Sequence, residues 1–310
     1  MPSYKIILNP ISGRGTGARL SPLITSYLHN HQVDFDLVHT ESPWHAAELT
    51  REAIAQNFDY IVAAGGDGTT NEVINGFMMA REAGIQHKSA MGVLSVGRGN
   101  DFAYSMGIPS TYEAGCNALI KGETRKIDIC KVTGGLYPEG RYFGNGIGIG
   151  FDAVVVFEAV KMKQLKGFSS YIAGALKTMI FHFDSPELQV ELDSSTITNR
   201  FLMVSIMNGI RLGGGFFMTP DSQSEDGHFD LCLVKKVNRM QALGLIMQFT
   251  HGTQGSHPAV TFARSKKLKV TALQGSIPAH ADGETICTKG DQLSIEIIPQ
   301  SIDLVYAKSK

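Results

Sequence analysis

A buried strand that runs directly into a glycine-rich loop constrains this chain more than any other feature. The segment 60–64 is apolar, Gly65-Gly66-Asp67-Gly68-Thr69 follows it, and a helix is predicted from Thr70 to about Arg81. Glycine lets backbone approach a ligand closely, and the N–H groups at the start of a helix attract phosphate. The segment therefore predicts a phosphate-binding turn between a parallel strand and a helix.

The acid in this loop, Asp67, distinguishes it from a Walker A loop, and the Gly-Lys-Ser/Thr ending of such a loop is missing too. A carboxylate beside phosphate is unfavourable unless a divalent cation lies between them, so Asp67 indicates Mg²⁺. The alternative is a plain strand–helix turn in which Thr69 and Glu72 form a capping box. For Glu72 by itself, capping and catalysis both stay open.

Strand and helix signals alternate over residues 1–128. Four short strands are predicted at 4–8, 33–38, 60–64 and 91–96, and three helices at 18–30, 43–56 and 70–81. This alternation indicates a doubly wound, mostly parallel sheet with helices on both faces. Such a sheet binds ligands outside the carboxyl ends of its strands.

Two more polar loops follow strands of this predicted sheet. Asn9-Pro10-Ile11-Ser12-Gly13 follows the first strand, and Gly97-Arg98-Gly99-Asn100-Asp101 follows the strand at 91–96. Loops at the carboxyl ends of parallel strands converge. Ser12 and the glycines are therefore candidate donors to a nucleotide, and a turn without a ligand is the alternative for the first loop.

The pattern of secondary-structure signals changes at about Arg125. Strand signals now dominate, at 126–132, 141–149, 188–192, 201–207, 229–234, 268–272 and 293–298, and helical stretches lie around 152–182 and 238–250. We predict a β-rich second domain over 129–301, most simply a sandwich, after an α/β domain over 1–128. The apolar run at the start of 302–310 is predicted to return to the first sheet.

Composition excludes several classes of protein. The 310 residues include 28 basic and 29 acidic side chains, so a strongly basic nucleic-acid binder is not expected. The four cysteines lie far apart, as is usual for proteins of a reducing cytosol. Neither a signal peptide nor an apolar run of transmembrane length is visible, so we expect a cytoplasmic protein.

Motifs in both halves, taken in order, resemble the bacterial diacylglycerol kinase family, which includes sphingosine and ceramide kinases. The matching segments are the loop at 9–13, the GGDGT loop with Asn71-Glu72, the loop at 97–102, the GxGxDA segment at 146–153, the glycine-rich stretch at 208–215, Pro220 with the DGxxD run at 226–230, and the DGE at 282–284.

This resemblance implies an ATP site in the first half. The implied ATP-binding residues are Asn9, Pro10, Ser12, Gly13, Thr40, Gly66, Asp67, Gly68, Thr69, Asn71, Glu72, Arg98, Asn100 and Asp101. Asp67 would help to hold Mg²⁺-ATP and so take part in catalysis. The family usually has Thr or Ser where this chain has Arg98, whose guanidinium either grips phosphate directly or points at an acid or at solvent.

The resemblance also implies roles in the second half. Glu284 would be the general base that takes the proton from a lipid hydroxyl. Asp226 would bind a structural Mg²⁺ through its side chain, completed by the backbone carbonyls of Gln223 and His228, and Asp128 would link that ion to the active site. Because His280, Asp282 and Glu284 would share one face of a strand, a metal cluster there is the alternative.

The segment 157–183 combines lysines with aromatic and aliphatic side chains. Its lysines are Lys161, Lys163, Lys166 and Lys177, and Arg14 and Arg19 would join them near the nucleotide loop. Such a mixture suits an anionic membrane surface. A solvated lysine face over an ordinary core is the alternative.

These features together predict an ATP-dependent lipid kinase that acts on a hydroxyl of diacylglycerol or a related lipid, as a peripheral membrane enzyme of phospholipid metabolism. An NAD kinase shares GGDG but does not combine the other motifs. A catalytically silent, nucleotide-binding regulatory protein is the alternative outside the enzymes. The family resemblance makes a homodimer plausible, and no motif identifies the lipid.

Overall fold

The computed structural model describes residues 1–162 and 168–307, and the chain divides into two compact units. Unit 1 comprises Met1–Ile127 and Gln300–Lys310, and unit 2 comprises Asp128–Pro299. None of the helices in the described ranges has the length and apolar character that a bilayer crossing requires. All four cysteines are buried free thiols.

Unit 1 alternates strands and helices. In chain order its elements are β1 (Ser3–Leu8), α1 (Ser12–Asn30), β2 (Asp34–His39), α2 (His45–Ala55), β3 (Tyr60–Gly65), α3 (Asp67–Glu82), β4 (Ala90–Ser95), α4 (Asp101–Ser105) and α5 (Tyr112–Lys121). The backbone at Gly13, Arg14 and Gly15 is left-handed, so regular winding of α1 begins only after them.

Unit 2 is mostly β-structure. Its elements are β5 (Thr124–Gly134), β6 (Tyr137–Phe143), β7 (Gly146–Gly150), α6 (Phe151–Lys161), α7 (Phe168–Phe181), β8 (Glu187–Leu192), β9 (Thr196–Met207), β10 (Arg211–Leu212), β11 (Phe216–Phe217), β12 (Phe229–Lys235), α8 (Arg239–His251), β13 (Val260–Ser265), β14 (Lys267–Gln274), β15 (Ile277–Ala281), β16 (Glu284–Gly290) and β17 (Gln292–Val305). Strands β5 and β17 each have residues in both units.

The sheet of unit 1 has the strand order β2-β1-β3-β4-β17, and all of these pairs are parallel. Helix α1 packs with α5, and α2 packs with α3, as expected of helices on two opposite faces. Strands β1 and β3 are buried almost throughout because both of their faces are covered. The order reverses between β1 and β3, and this is the point where such sheets bind ligands.

Unit 2 has two hydrophobic cores, and successive side chains along its strands pack alternately into one and the other. Along β9, Val204 and Ile206 pack into a core between strands, whereas Met203 and Met207 pack against α6, α7 and α8. The first half of β9 pairs with β8 and the second half with β7 and β12, so β9 passes from one layer to the other. The predicted fold class, a doubly wound parallel sheet followed by a β-rich sandwich, is confirmed.

Candidate functional site

The loops that follow β1 and β3 are joined by their side chains. Asn9 Nδ2 donates a hydrogen bond to Thr69 Oγ1 at 3.0 Å, and Asn9 Oδ1 accepts the N–H of Ile11 at 3.1 Å. The backbone N–H of Asn9 also donates to the carbonyl of Ala64, the second-last residue of β3, at 3.0 Å. Asn9 therefore fixes the position of one loop relative to the other.

In the described part of the chain no side chain caps the start of α3, so the alternative of a capping box between Thr69 and Glu72 is wrong. Glu72 Oε2 instead accepts the N–H of Ala46 at 3.1 Å, in the first turn of α2. The residue before α2, Trp44, has left-handed backbone with φ 74° and provides no side-chain cap within the described part of the chain. The carboxylate of Glu72 therefore satisfies a helix N-terminus that its own segment leaves open.

Glycines let three loops of unit 1 meet backbone to backbone. A Cβ on Gly97 would lie 2.3 Å from the Cα of Gly66, and a Cβ on Gly13 would lie 2.5 Å from the carbonyl oxygen of Val96. Real Cβ atoms do not come so close to backbone. The loops after β1, β3 and β4 thus form a cradle that only glycine permits.

Asp67 holds the third of these loops. Its Oδ1 accepts the N–H of Phe102 at 3.1 Å, and Asn100 Nδ2 donates to the carbonyl of Gly97 at 3.1 Å. Asn100 has left-handed backbone with φ 50°. Two buried oxygens beside the cradle, Ser95 Oγ and Asn100 Oδ1, have no hydrogen-bond partner among the residues that the structure describes. The loop cluster therefore has acceptors that a polar ligand could satisfy.

The other predicted nucleotide residues lie in different environments. Thr40 follows β2, and its N–H donates to the carbonyl of Leu8 at 2.9 Å. Asn71 is 1% exposed, and its Oδ1 accepts from Asn75 Nδ2 at 3.1 Å. Arg98 is exposed, and it has no ion-pair partner in the described residues. Thr40 thus lies beside the end of β1, Asn71 inside α3, and Arg98 at the surface of the cradle.

In unit 2, Asp282 and Gly283 form the turn between β15 and β16. Their φ angles are 48° and 88°, the pattern of a two-residue Asp-Gly hairpin turn. The Asp282 carboxylate accepts three consecutive N–H groups, from Gly144 at 2.8 Å, Asn145 at 3.1 Å and Gly146 at 2.9 Å. Asp282 therefore fixes the hairpin to the junction between β6 and β7.

Two predictions fail at this turn. The strand predicted over 141–149 is interrupted, because the amides of residues 144–146 bind Asp282. His280, Asp282 and Glu284 do not share a face, since the turn lies between them: His280 is buried and Glu284 is exposed. In residues 1–162 and 168–307 no group of three or more His, Cys, Asp or Glu side chains could hold a metal ion.

A buried polar network connects the Asp282 turn to the loop that carries Asp226. Asp128 is fully buried, and its Oδ2 accepts the N–H of Gly227 at 2.7 Å. Asn208 Nδ2 donates to the carbonyls of Asp128 and Gly144, both at 2.8 Å. Asp128 and Asn208 therefore link the loop at 226–228 to the residues that bind Asp282.

Arg264, which the sequence analysis did not single out, pairs with two acids. Its Nη2 binds Asp226 Oδ2, and its Nε lies 3.1 Å from Asp230 Oδ1. Burial raises the pKa of Asp230, and the guanidinium of Arg264 opposes that rise. The pairing of Asp230 with Arg264 across β12 and β13 brings these charges together, and no local sequence motif shows it.

An apolar pocket in unit 2 has one acidic residue, Asp152, in its lining. The pocket has a cavity volume of about 50 Å³ and is lined by Phe151, Asp152, Val155, Val156, Tyr171, Ala175, Met203, Leu212, Gly213, Phe216, Met218, Ile246 and Phe249. Asp152 Oδ2 accepts from Ser205 Oγ at 3.1 Å, and Asp152 Oδ1 lies 3.6 Å from His280 Nε2. A side chain at Gly148 would collide with both Asp152 and His280.

Comparison with protein families covers nearly the whole chain. Residues 3–132 match the model described as "Diacylglycerol kinase catalytic domain", and residues 145–306 match "YegS C-terminal NAD kinase beta sandwich-like domain". A diacylglycerol kinase of Staphylococcus aureus is 30% identical over 283 residues, which are 90% of this chain and 85% of that protein. The chain belongs to the diacylglycerol kinase family.

Other comparisons agree with this membership. A diacylglycerol kinase of Staphylococcus saprophyticus is 29% identical over 283 residues, covering 90% of this chain and 88% of its own. A solved structure titled as a diacylglycerol kinase of Bacillus anthracis superimposes with a TM-score of 0.77 at 21% identity, over 99% of this chain and 97% of that one. A yeast NADH kinase superimposes with a TM-score of 0.52 at 12% identity, over 99% and 84%. The last two likenesses concern the fold alone.

The two predicted Mg²⁺ positions of this diacylglycerol kinase family member differ in how well they fit a cation. At the cradle, the half-buried Asp67 lies among glycines and acceptor oxygens that suit a Mg²⁺-nucleotide. At the predicted structural site, Arg264 already binds the Asp226 carboxylate. The other two predicted ligands there are the backbone carbonyls of Gln223 and His228, in the same loop as Asp226. The second position therefore does not fit a divalent cation.

Proposed function

We propose that this protein is an ATP-dependent lipid kinase that transfers the γ-phosphate to a hydroxyl group of diacylglycerol or a related lipid. Membership in the diacylglycerol kinase family supports a kinase. The observation that favours a lipid over a water-soluble acceptor is the pocket of unit 2, whose lining is apolar apart from Asp152 and the Tyr171 hydroxyl. A pocket of this kind suits the hydrocarbon chain of a lipid.

The cradle of unit 1 is the proposed nucleotide site. Backbone N–H groups of the loops at 9–13, 66–69 and 97–101 would bind phosphate oxygens, and Asp67 would hold the Mg²⁺ that accompanies ATP. When bound, Mg²⁺ neutralises charge on the transferring phosphate. Arg98 is exposed and carries a positive charge that would attract the same phosphates.

Glu284 is the proposed general base. It begins β16 directly after the Asp282-Gly283 turn, opposite Ala281, and its side chain is exposed to a substrate. Because Asp282 ties the turn to three backbone amides, the first residue of β16 has a fixed position. A base held in this way would accept the proton of a lipid hydroxyl, a contribution of roughly 10²–10⁴ in rate.

Helices α7 and α8 support contact with a membrane. Four of their apolar side chains are largely exposed: Ile180 (62%), Phe181 (69%), Met240 (77%) and Met247 (58%). Arg239 Nε, at the start of α8, donates to the carbonyl of Met179 at 3.0 Å and so joins the two helices. Apolar side chains beside basic ones suit the surface of an anionic bilayer.

The lysines of this region have mixed roles. Lys161 and Lys177 pair with the buried Glu158, both at 2.6 Å. Lys161 and Glu158 belong to α6, whereas Lys177 belongs to α7, so the pair of Lys177 joins the two helices. Lys163 and Lys166 lie outside the described residues. The proposal of membrane contact therefore depends mainly on the exposed apolar side chains.

The decisive experiment measures transfer of labelled γ-phosphate from ATP, with Mg²⁺, to a panel of lipids in anionic vesicles. Glu284→Gln should abolish labelling of the lipid that the wild type phosphorylates. Glu139→Gln, which changes another exposed glutamate of unit 2, should leave it unchanged. One reaction contains NAD⁺ in place of lipid.

The products separate the proposed function from its rivals. A labelled phospholipid that is lost in Glu284→Gln supports the kinase and identifies its substrate. Labelled NADP⁺ would replace the proposal with an NAD kinase. ATP binding without any labelled product would favour a silent regulatory protein, and Arg98→Thr would then be the next variant to assay.

A further inference from the structure

We infer that the guanidinium of Arg264 supplies the positive charge that holds the loop at 226–230, so that this loop folds without a divalent cation. This inference concerns a structural position and does not rest on the proposed kinase activity.

Arg264 bridges two carboxylates with two different nitrogens. Nη2 binds Asp226 Oδ2, while Nε lies 3.1 Å from Asp230 Oδ1. Arg264 stands directly opposite Asp230 in the antiparallel pair of β13 with β12, so the strand register fixes the position from which the side chain starts. Guanidinium nitrogens in a rigid fork suit such paired carboxylates better than a point charge does.

Both oxygens of the Asp226 carboxylate have donors. Oδ2 faces Arg264, and Oδ1 accepts the N–H of His228 at 3.0 Å. The Nδ1 of His228 also contacts the carbonyl of Asp226 at 3.0 Å. The loop at 226–228 is therefore closed by its own hydrogen bonds and by Arg264.

A divalent cation at Asp226 would compete with Arg264. Mg²⁺ needs near-octahedral oxygen ligands at about 2.0–2.1 Å, which would place it beside a guanidinium that cannot lose its proton. Two positive charges at one carboxylate repel each other, and a cation bound to Asp226 would lie within a few ångströms of the Arg264 guanidinium. Binding of Mg²⁺ would therefore require Arg264 to leave.

The rest of the loop is anchored by protein groups as well. Gly227, with φ 73°, donates its N–H to the buried Asp128, whose own N–H donates to the carbonyl of Ser224 at 2.7 Å. Asp128 therefore anchors the loop at Ser224 and Gly227, and Arg264 anchors it at Asp226 and Asp230. These protein groups close the loop at 226–230 without a bound ion.

The test uses the nucleotide-free full-length protein and thermal unfolding. The wild-type Tm should be the same in EDTA and in millimolar MgCl₂. Arg264→Gln leaves two neighbouring carboxylates without a cation, so it should lower the Tm in EDTA by about 2–4 °C, and MgCl₂ should restore part of that loss. Lys267→Gln, which removes a cation paired with Glu296 at 3.5 Å on the next strand, is the matched control and should behave as the wild type.

Two further measurements keep the test decisive if Arg264→Gln folds poorly. Arg264→Lys keeps the charge but loses the fork, so it should lose less Tm than Arg264→Gln and should not respond to Mg²⁺. Electron paramagnetic resonance with Mn²⁺ should detect no tightly bound ion in the nucleotide-free wild type. The inference is overturned if EDTA lowers the wild-type Tm, if Arg264→Gln is as stable as the control, or if the wild type holds one Mn²⁺ that Asp226→Asn releases.

Discussion

Gly66 and Gly97 touch through their backbones: a Cβ on Gly97 would lie 2.3 Å from the Cα of Gly66. The two residues follow different strands, β3 and β4, so this contact determines how closely the loops of the cradle approach each other. Neither backbone can move away without disturbing the strand that precedes it.

Replacing Gly97 by Ala should therefore open the cradle. Because the added methyl group meets backbone and not a flexible side chain, we expect a loss of about 1–3 kcal/mol in the free energy of unfolding, together with weaker ATP binding. Urea unfolding and an ATP titration measure the two effects.

Gly244→Ala is the control. Gly244 lies within α8, and no described atom lies within 4 Å of its Cβ position. Alanine there should increase the free energy of unfolding by at most about 1 kcal/mol. Equal stability and ATP affinity of Gly97→Ala and the wild type would contradict the cradle.

Glu72 offers a way to separate capping from catalysis. Glu72→Ala removes the acceptor for the N–H of Ala46 and should cost about 1 kcal/mol of stability. Glu72→Gln keeps an oxygen acceptor, so both its stability and its kcat should stay near the wild-type values. A large fall in kcat with unchanged stability in Glu72→Gln would instead assign a catalytic role to this carboxylate.

Asp282→Asn tests the anchor of the hairpin that carries Glu284. Asn tolerates the left-handed backbone at this position, so the turn itself is preserved. The amide group, however, has one oxygen for three N–H groups, and its NH₂ would face a donor. We expect a loss of about 2 kcal/mol in the free energy of unfolding and reduced activity through a displaced Glu284. Asp221→Asn, at an exposed loop position, should change neither quantity.

Protonation of Glu158 should make the free energy of unfolding depend on pH in the acidic range. Hydrogen bonds from Lys161 and Lys177 lower the pKa of Glu158 to about 2. An acid whose pKa is lower in the folded state stabilises the fold above its ordinary pKa, and this contribution fades as the pH falls towards the folded value. Glu158→Gln should cost about 1 kcal/mol at neutral pH, allowing for solvent screening of the lysines, and the difference from the wild type should vanish near pH 2.

The measurement is urea unfolding of both proteins at several pH values between 7 and about 2. This range includes the window from the ordinary pKa of 4.5 down to the folded pKa of about 2, over which the linked protonation occurs. Glu139→Gln, an exposed glutamate on β6, should show no such pH-dependent difference. A gap between Glu158→Gln and the wild type that widens in acid would have the wrong sign and refute the ion-pair explanation.

The parallel sheet and its loops were predictable because strands buried on both faces read as continuous apolar runs. Strands β1 and β3 show such runs, and each ends in a loop rich in glycine and polar residues. Helix α5, which the sequence analysis did not predict, has a recognisable signal at each end: Thr111 Oγ1 accepts the N–H of Ala114 at its start, and Gly122 ends it in left-handed conformation.

Contacts set by strand register were not predictable. Asp230 meets Arg264 only because β12 and β13 pair in one register, and Asp152 meets His280 only because β7 lies between β9 and β15. Asp282 binds amides that lie more than a hundred residues earlier in the chain. Local patterns contain no information about such pairings, whereas the turn at 282–283 has the Asp-Gly signature of a two-residue hairpin.

Strand β17 imposes an order on the biosynthesis of this protein. Leu304 pairs in parallel with Met91 of β4, so unit 1 is built from residues at both ends of the chain. While the ribosome is still adding residues 128–299, β4 presents an unpaired edge, which is a site for association with other chains. Unit 1, although most of it is synthesised first, can complete its sheet only after all of unit 2 has been made.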